Sequence, residues 1–302
     1  MKDYVRDYFD RHADAWVEAA YAGGTRFPLG PERVRLALEG VSPAFRDAGA
    51  LVDLGCGGGQ LCVHAARLGW SVVGVDVAAG MIEQAERDRG ALPVRYVLAA
   101  FDENGLDEGA FDAVTAMGLI EYLPDDDAFF VEAGRLLRPG GRVAVSCRNR
   151  LYNLQSANEY TARELEREEA GALLDELREL LDGSTDSEVH ALAGELVAAA
   201  PDLAEAARRD AEEPPDELFH HPTRFAEERR QHTPRQLREA AEPHGFREAG
   251  VLPLHPHPLP SRLEPVAPRV YNRLALAWQR ALETSPLGLA YCSAFVGVFE
   301  RC

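Results

Sequence analysis

The chain has 302 residues, enough for one large domain or for one domain with a substantial insertion. Hydrophobic residues make up 46%, which suffices for a packed core and argues against wholesale disorder. The formal net charge of −18 repels phosphate backbones and anionic lipid surfaces, so nucleic acid and membranes are disfavoured as partners.

The first residues, Met1 to Asp7, contain no apolar leader core, and no segment reads as long and apolar enough to span a membrane. Cys56, Cys62, Cys147, Cys292 and Cys302 are scattered and contain no CxxC pair. Neither a disulfide framework nor a zinc site is expected, and a reducing cytoplasm fits this usage.

Residues 1–50 read as helical, with Tyr4, Tyr8, Trp16 and Tyr21 recurring among charges. Pro28, Gly30 and Pro31 are expected to break this segment before a second helix at about 32–39. A regular alternation follows. Strands are predicted at 51–54, 71–75, 94–98, 111–117 and 142–147, with helices at 61–68, 80–89 and 127–137 between them. Pro139-Gly140-Gly141 reads as a turn. Such alternation predicts a doubly wound, mainly parallel α/β sheet whose carboxyl edge holds the ligand.

The pattern changes after Arg150. Residues 151–232 are rich in Ala, Glu, Leu and Arg at helical spacing and read as a helical insertion or cap. A solvated cap is the first reading of this acidic stretch, with a homodimer contact or a substrate lid as the others. The α/β pattern then resumes. Thr233 and Pro234 are placed to start a helix, Gly245 to stop it, and strands are expected at 246–254 and 290–299, with a helix at 269–282 between them. The expected divisions are an N-terminal helical lid (1–45), an α/β core (46–150 and 233–302) and the insertion (151–232).

The strongest local signal is Val52-Asp53-Leu54-Gly55-Cys56-Gly57-Gly58-Gly59. Glycines at 55, 57 and 59 let the backbone turn sharply and approach a ligand, and the helix that follows offers free amides. A dinucleotide fingerprint would need glycine or alanine at position 60, where Gln60 stands. Asp76, at the end of the second strand, is placed to accept ribose hydroxyls, a role compatible with either kind of ligand.

Together with Asp76-Val77-Ala78-Ala79-Gly80-Met81, Phe111-Asp112-Ala113-Val114, Gly118-Leu119-Ile120-Glu121-Tyr122-Leu123 and Arg135-Leu136-Leu137-Arg138-Pro139-Gly140-Gly141, this order resembles the class I methyltransferases of the ubiquinone-biosynthesis and small-molecule type. The resemblance covers roughly residues 50–148, and Gly245-Phe246 with Ser293 to Val296 is similar to the family's closing segment. It implies a Rossmann-like seven-stranded sheet with an antiparallel last strand, and S-adenosyl-L-methionine as the methyl donor. It also implies that Gly55, Cys56 and Gly57 line the methionine moiety, that Asp53 supports the loop and the amino group, and that Asp76 binds the ribose. Val77 and Met81 would flank adenine, and Met117 and Gly118 would sit beside the transferring methyl.

Two departures stand out. Ala100 occupies the place where relatives carry an acid toward the adenine amine, so Asp102 or a backbone carbonyl is the candidate substitute and Phe101 a candidate to pack on the ring. Many relatives have Glu-His after the fourth strand, whereas here it is Glu121-Tyr122. A tyrosine with an ordinary pKa near 10 is a poor base at neutral pH. Candidate catalytic residues are therefore Glu121, Tyr122 and, among the histidines at 220, 221, 232, 255 and 257, His221. Their spacing gives no metal site.

Methyl transfer needs mainly proximity and alignment, with a base only where the acceptor holds a proton of high pKa. Asn149, Arg150 and Tyr152 follow the fifth strand and are candidates to grip a small-molecule acceptor. Tyr8, Trp16 and Tyr21 are candidates for an aromatic lid, and Arg26 for a partner of the donor carboxylate. The expected chemistry is methylation of a small molecule, on oxygen first. Nitrogen acceptors, macromolecular acceptors, a nicotinamide-dependent oxidoreductase and a non-catalytic binding module are the rivals.

Overall fold

Seven apolar runs assemble into one sheet. The computed structural model describes residues 3–21, 26–42, 49–156, 159–182, 186–212 and 229–302. Its strands are β1 (Ala50–Leu54), β2 (Ser71–Asp76), β3 (Val94–Leu98), β4 (Phe111–Met117), β5 (Leu137–Arg148), β6 (Phe246–Pro256) and β7 (Cys292–Arg301). They lie in the order β3-β2-β1-β4-β5-β7-β6. β1 to β5 pair in parallel, and β7 runs antiparallel to both β5 and β6. Chain order reverses direction at β1, which has β2 on one side and β4 on the other. A crevice opens there at the carboxyl ends of the strands.

The helices are α1 (Asp3–Tyr21), α2 (Leu29–Val41), α3 (Gln60–Arg67), α4 (Ala79–Arg89), α5 (Asp127–Leu136), α6 (Asn153–Ser156), α7 (Glu159–Glu166), α8 (Ala170–Leu181), α9 (Asp186–Glu212), α10 (Pro234–Ala241), α11 (Pro268–Leu282) and α12 (Pro286–Tyr291). Successive side chains of a strand face opposite ways, so each strand feeds two cores. Val52, Leu54, Val114 and Val145 meet Phe129 and Phe130 of α5 and Leu237 of α10. Leu51, Val72, Ala113 and Ala144 meet Leu36 and Val41 of α2, Leu61 of α3 and Ala275 of α11. The expected doubly wound architecture is therefore present.

Several boundaries differ from the sequence reading. α2 begins at Leu29, so Gly30 and Pro31 lie inside its first turn, where no amide needs an intrahelical partner. β5 begins at Leu137: Pro139-Gly140-Gly141 is a bulge within the strand, with Gly140 at φ +77°. β6 runs on to Pro256. β7 starts at Cys292, because Pro286 opens a short helix whose preceding Ser285 side chain accepts the Leu287 N–H at 3.1 Å.

The described helices of the insertion seat against the exit of β5 and against α10 and α11. The Arg150 Nη2 lies 2.6 Å from Glu164, the Arg235 N–H donates to Glu176 at 3.1 Å, and Arg269 pairs with Asp210 at 3.1 Å. The segment returns to the core through a backbone bridge between Asn149 and His232. His232 is buried and meets both oxygens of Asp126 at 3.1 Å.

α10 then starts on a reciprocal cap. The Gln236 N–H donates to Thr233 Oγ1 at 3.2 Å, and the Thr233 N–H donates to Gln236 Oε1 at 3.0 Å. Because Thr233 is buried, water cannot replace its oxygen. Thr233→Ala is expected to lower stability by about 1–2 kcal/mol. In urea unfolding this appears as an earlier midpoint at unchanged slope, and an unmoved midpoint would remove the cap's assigned role.

Candidate active site

The site begins with the turn that ends β1. Gly55, Gly57 and Gly59 take φ of +71°, +53° and +78°, conformations that strain any residue with a Cβ. Their surroundings differ. A Cβ on Gly57 would meet only Met81 and Trp16, both at 3.9 Å, so this glycine borders open space. A Cβ on Gly59 would strike the Tyr96 hydroxyl at 2.2 Å, so this glycine serves packing against β3. The loop is tied to β2 by the Gly57 N–H, which donates to Asp76 Oδ2 at 2.9 Å, and by the Gly55 and Cys56 amides, which donate to the Val75 carbonyl at 2.8 and 3.0 Å. The other Asp76 oxygen accepts the Ala78 N–H at 2.9 Å. Burial pushes the Asp76 carboxyl up, and these backbone amides pull it back.

A first chamber of about 950 Å³, mouth included, occupies the crevice. Its walls come from four strand ends: Gly55 and Gly57 after β1, Asp76 to Ala78 after β2, Ala99 to Asp102 after β3, and Met117 to Leu119 at β4. Met81 closes its floor, and α1 roofs it with Arg6, Phe9 and Trp16. A second chamber, of about 1030 Å³, lies beside it. Phe9, Trp16, Met117, Gly118 and Tyr122 line both. The second chamber adds Tyr21, Phe27 and His255 as ring walls, the cations Arg26, Arg33 and Arg229, and the acids Glu121 and Glu264.

Of the residues singled out in the sequence, Gly55, Gly57, Asp76, Val77, Met81, Phe101, Asp102, Met117 and Gly118 come together in the first chamber. Tyr21 and Arg26 line the second instead, which moves them away from the place assigned to the donor. Asp53 and Cys56 stand behind the loop: Thr115 Oγ1 donates to Asp53 at 2.8 Å, the Cys62 thiol lies 3.8 Å from its other oxygen, and the Cys56 thiol turns to the Gly57 carbonyl. Tyr8 packs on Phe9 and His12 outside both linings, and the neighbouring Phe9 is the lid residue.

The proposed acceptor-gripping cluster is dispersed. Asn149 is buried and donates to the carbonyls of Leu289 and Cys292 at 2.7 and 2.8 Å. Arg150 is held by Glu164 and Glu169, and Tyr152 stacks on His257 at 4.9 Å. Each side chain meets its partner across the fold, which adjacency in sequence does not reveal. Glu121 lines the second chamber 3.8 Å from Arg229. Tyr122 lines both chambers, and burial raises its phenol well above the ordinary value, away from use as a base. His221 lies outside the described residues. The sequence reading missed Phe9, Arg33 and Arg229 as wall residues, since nothing in their local pattern sets them apart from other helix and loop positions.

Burial holds the Asp53 carboxyl up at about 7, against opposing hydrogen bonds from Thr115 and Cys62. A raised carboxyl keeps a proton that the unfolded chain releases near its ordinary value of 3.8. Its contribution is therefore complete below that value and is lost as pH rises toward 7. Asp53→Asn removes this dependence. Denaturant unfolding is expected to show the wild type losing stability relative to the variant between pH 4 and 7, by at most on the order of 4 kcal/mol. Parallel stability curves for the two proteins would contradict this assignment.

The comparisons with known proteins agree with this geometry. Residues 52–145 match the family described as a methyltransferase domain. Ubiquinone biosynthesis O-methyltransferase of Xanthomonas axonopodis pv. citri (strain 306) is 35% identical over 148 residues, which are 48% of this chain and 60% of that protein. The match thus spans less than two thirds of that relative's length. Among solved structures, magnesium protoporphyrin IX methyltransferase of Synechocystis PCC 6803 with bound SAH has a similar fold, at a TM-score of 0.56, 13% identity and 99% coverage of both chains. An S-adenosylmethionine-dependent methyltransferase of Mesorhizobium loti gives a TM-score of 0.50 at 16% identity, over 92% of this chain and 99% of that one. The glycine loop and the matched residues together make residues 52–145 a methyltransferase domain, and the strand order with its antiparallel β7 is a fold shared with solved S-adenosylmethionine-dependent methyltransferases.

Proposed function

We propose that this protein transfers the methyl group of S-adenosyl-L-methionine to an oxygen of a small organic acceptor. The observation that carries the reading is the pair of chambers meeting at the tip of β4, where Met117, Gly118 and Tyr122 belong to both walls. Two ligands housed side by side across one short junction are what an in-line displacement requires.

The first chamber fits the donor. Gly57 leaves a cradle that a Cβ would enter, beside Met81 and Trp16. Asp76, held by backbone amides of Gly57 and Ala78 among others, would take the ribose hydroxyls on its remaining lone pairs. Val77, Met81 and Phe101 would enclose the adenine, with Asp102 toward its amine. Gly55 and Gly57 would border the methionine portion. When bound, the donor supplies a methyl group already activated on a sulfonium, so no protein nucleophile is needed.

The second chamber would take the acceptor. Its ring walls suit a planar apolar body, and its arginines suit an acceptor with an anionic or hydroxyl oxygen. The named function of the Xanthomonas relative, O-methylation, favours oxygen. The net charge favours a small molecule over nucleic acid. The five cysteines, all free, accord with a cytoplasmic enzyme.

Calorimetric titration with S-adenosylmethionine, S-adenosylhomocysteine and NAD tests the reading. Both adenosyl compounds are expected to bind and NAD is not. Asp76→Ala, with an unchanged circular dichroism spectrum, is expected to weaken donor binding by about 1–3 kcal/mol. Binding of NAD alone, or donor affinity indifferent to Asp76, would overturn it.

A further inference from the structure

His255 lies near the end of β6 with φ +62°, in the left-handed region that side chains rarely adopt. The conformation is clamped: the His255 N–H donates to Gln279 Oε1 at 3.0 Å, and Gln279 Nε2 donates to the Pro253 carbonyl at 2.8 Å. The ring stacks on Phe27 at 4.6 Å and forms part of the second chamber's wall. Its Nε2 is buried and has no hydrogen-bond partner among the described residues.

Proton accounting fixes the tautomer. The Tyr271 hydroxyl donates its one proton to the Leu259 carbonyl at 2.8 Å, so it accepts from His257 Nδ1 at 2.9 Å. Burial holds the His257 pKa down at about 4, so the ring is neutral at pH 7 and its Nε2 is a bare acceptor. Ser293 Oγ donates to that nitrogen at 3.0 Å. The competing approach of Ser293 Oγ to the His255 carbonyl is longer, at 3.4 Å. With its proton committed, Ser293 Oγ faces His255 Nδ1 at 3.3 Å as an acceptor, so Nδ1 carries the hydrogen. The lone pair of His255 is thereby left on Nε2.

Arg33 supplies the complement. It lines the same chamber, and its Nε is buried without a hydrogen-bond partner among the described residues. One of its terminal nitrogens lies 3.3 Å from where a Cβ on Gly118 would sit, which puts the guanidinium at the junction of the chambers. A bare acceptor and a bare donor, carried by two residues of one wall, match a hydroxyl group, which gives one hydrogen bond and takes another.

We propose that His255 Nε2 is the base that removes the proton of an acceptor hydroxyl, with Arg33 holding the oxygen as its charge develops. This rests on the methyltransferase reading and deepens it. The acceptor oxygen forms the new bond to the methyl carbon, the donor sulfur keeps the electron pair of the broken C–S bond, and the hydroxyl proton goes to His255 Nε2. The products are a methyl ether, S-adenosylhomocysteine and an imidazolium, which returns its proton to water after release. Burial first, and then the nearby Arg33 charge, hold the His255 basicity down in the free protein. The oxyanion offsets the Arg33 charge as it forms, which lifts that part of the depression.

The tautomer is read without any acceptor, by long-range proton–nitrogen correlation on histidine-labelled protein at pH 7. The His255 signal is the one lost in His255→Asn, a residue that tolerates positive φ. Hydrogen on Nδ1 with a bare Nε2 is expected, and Ser293→Ala is expected to give a mixture of tautomers. Hydrogen on Nε2, or an imidazolium, would sink the proposal. Catalysis is read with radiolabelled S-adenosylmethionine and a panel of catechol, 4-nitrocatechol and the matching aryl amine and thiol. His255→Asn is expected to keep donor affinity and to slow kcat on catechol by roughly 10²- to 10⁴-fold, with a smaller loss on the readily ionised 4-nitrocatechol. Equal losses on the two catechols, or transfer to amine or thiol alone, would overturn it. Failure of the wild type to bind the donor indicts the methyltransferase reading itself, whereas intact binding with the wrong tautomer indicts only the base.

Discussion

The carboxyl edge of the sheet is organised around the hydrogen bond from the Gly57 amide to the Asp76 carboxylate, beside those from the Gly55 and Cys56 amides to the Val75 carbonyl. It joins the loop after β1 to the end of β2, while the other carboxylate oxygen fixes the start of α4 through Ala78. A carboxylate in this place is desolvated, which disfavours its charge, and only the amides that approach it compensate. The glycine loop and the acid are therefore one device. The amide at 57 reaches Asp76 because the backbone there bends with positive φ, and the bend leaves a concavity with no side chain in it. The same acid that shapes the cradle is part of its wall.

The chain's overall charge and the charge of its second chamber have opposite signs. The protein carries −18, yet three arginines and two glutamates line that chamber. Acids such as Asp175 and Glu179 on α8 and Asp202 and Glu205 on α9 lie exposed, where solvent screens them. Inside the chamber the effective dielectric is lower, so Arg26, Arg33 and Arg229 weigh far more on a bound ligand than distant surface carboxylates do. Net charge thus bears on which macromolecules the protein meets, and the local inversion bears on which small molecules it retains. Of the described residues of the insertion, Arg229 alone reaches this chamber. The other described parts of the insertion brace β5, α10 and α11, so its contribution to the wall comes from its last residues before the return to the core.

The first chamber was legible in the sequence because its parts are local. A loop directly follows β1, Asp76 ends β2, Phe101 and Asp102 follow β3, and Met117 ends β4. A parallel sheet brings all strand ends to one edge by topology alone, so naming the strands names the wall. The second chamber was not legible, because its parts are distant. Asn149 and Arg150 follow β5 as expected, but burial partners at Leu289, Cys292 and Glu164 take their hydrogen-bonding capacity. No spacing rule pairs Arg33 of α2 with Gly118 of β4, and only the folded chain brings His255, His257, Tyr271 and Ser293 into one line. The boundary errors have the same origin. Pro286 after Ser285 turns the start of an apolar run into a helix, while the bulge at Pro139 to Gly141 lets a strand continue through a turn signal.

The backbone at His255 argues for the ring it carries. A non-glycine residue at positive φ costs on the order of 1–3 kcal/mol unless its surroundings impose it. Here they do: Gln279 is buried and divides its amide between the His255 N–H and the Pro253 carbonyl. Pairing between β6 and β7 runs through Leu254 with Ala294 and resumes at Pro256 with Cys292, passing over His255 and Ser293. That interruption frees Ser293 Oγ to meet the imidazole of His257. Glycine would adopt the same φ without strain, but it would leave Ser293 without its second imidazole and the chamber without a bare nitrogen. The strain and the relay are therefore parts of one arrangement: the backbone leaves the ladder at the single place where doing so sets a neutral imidazole into the chamber wall.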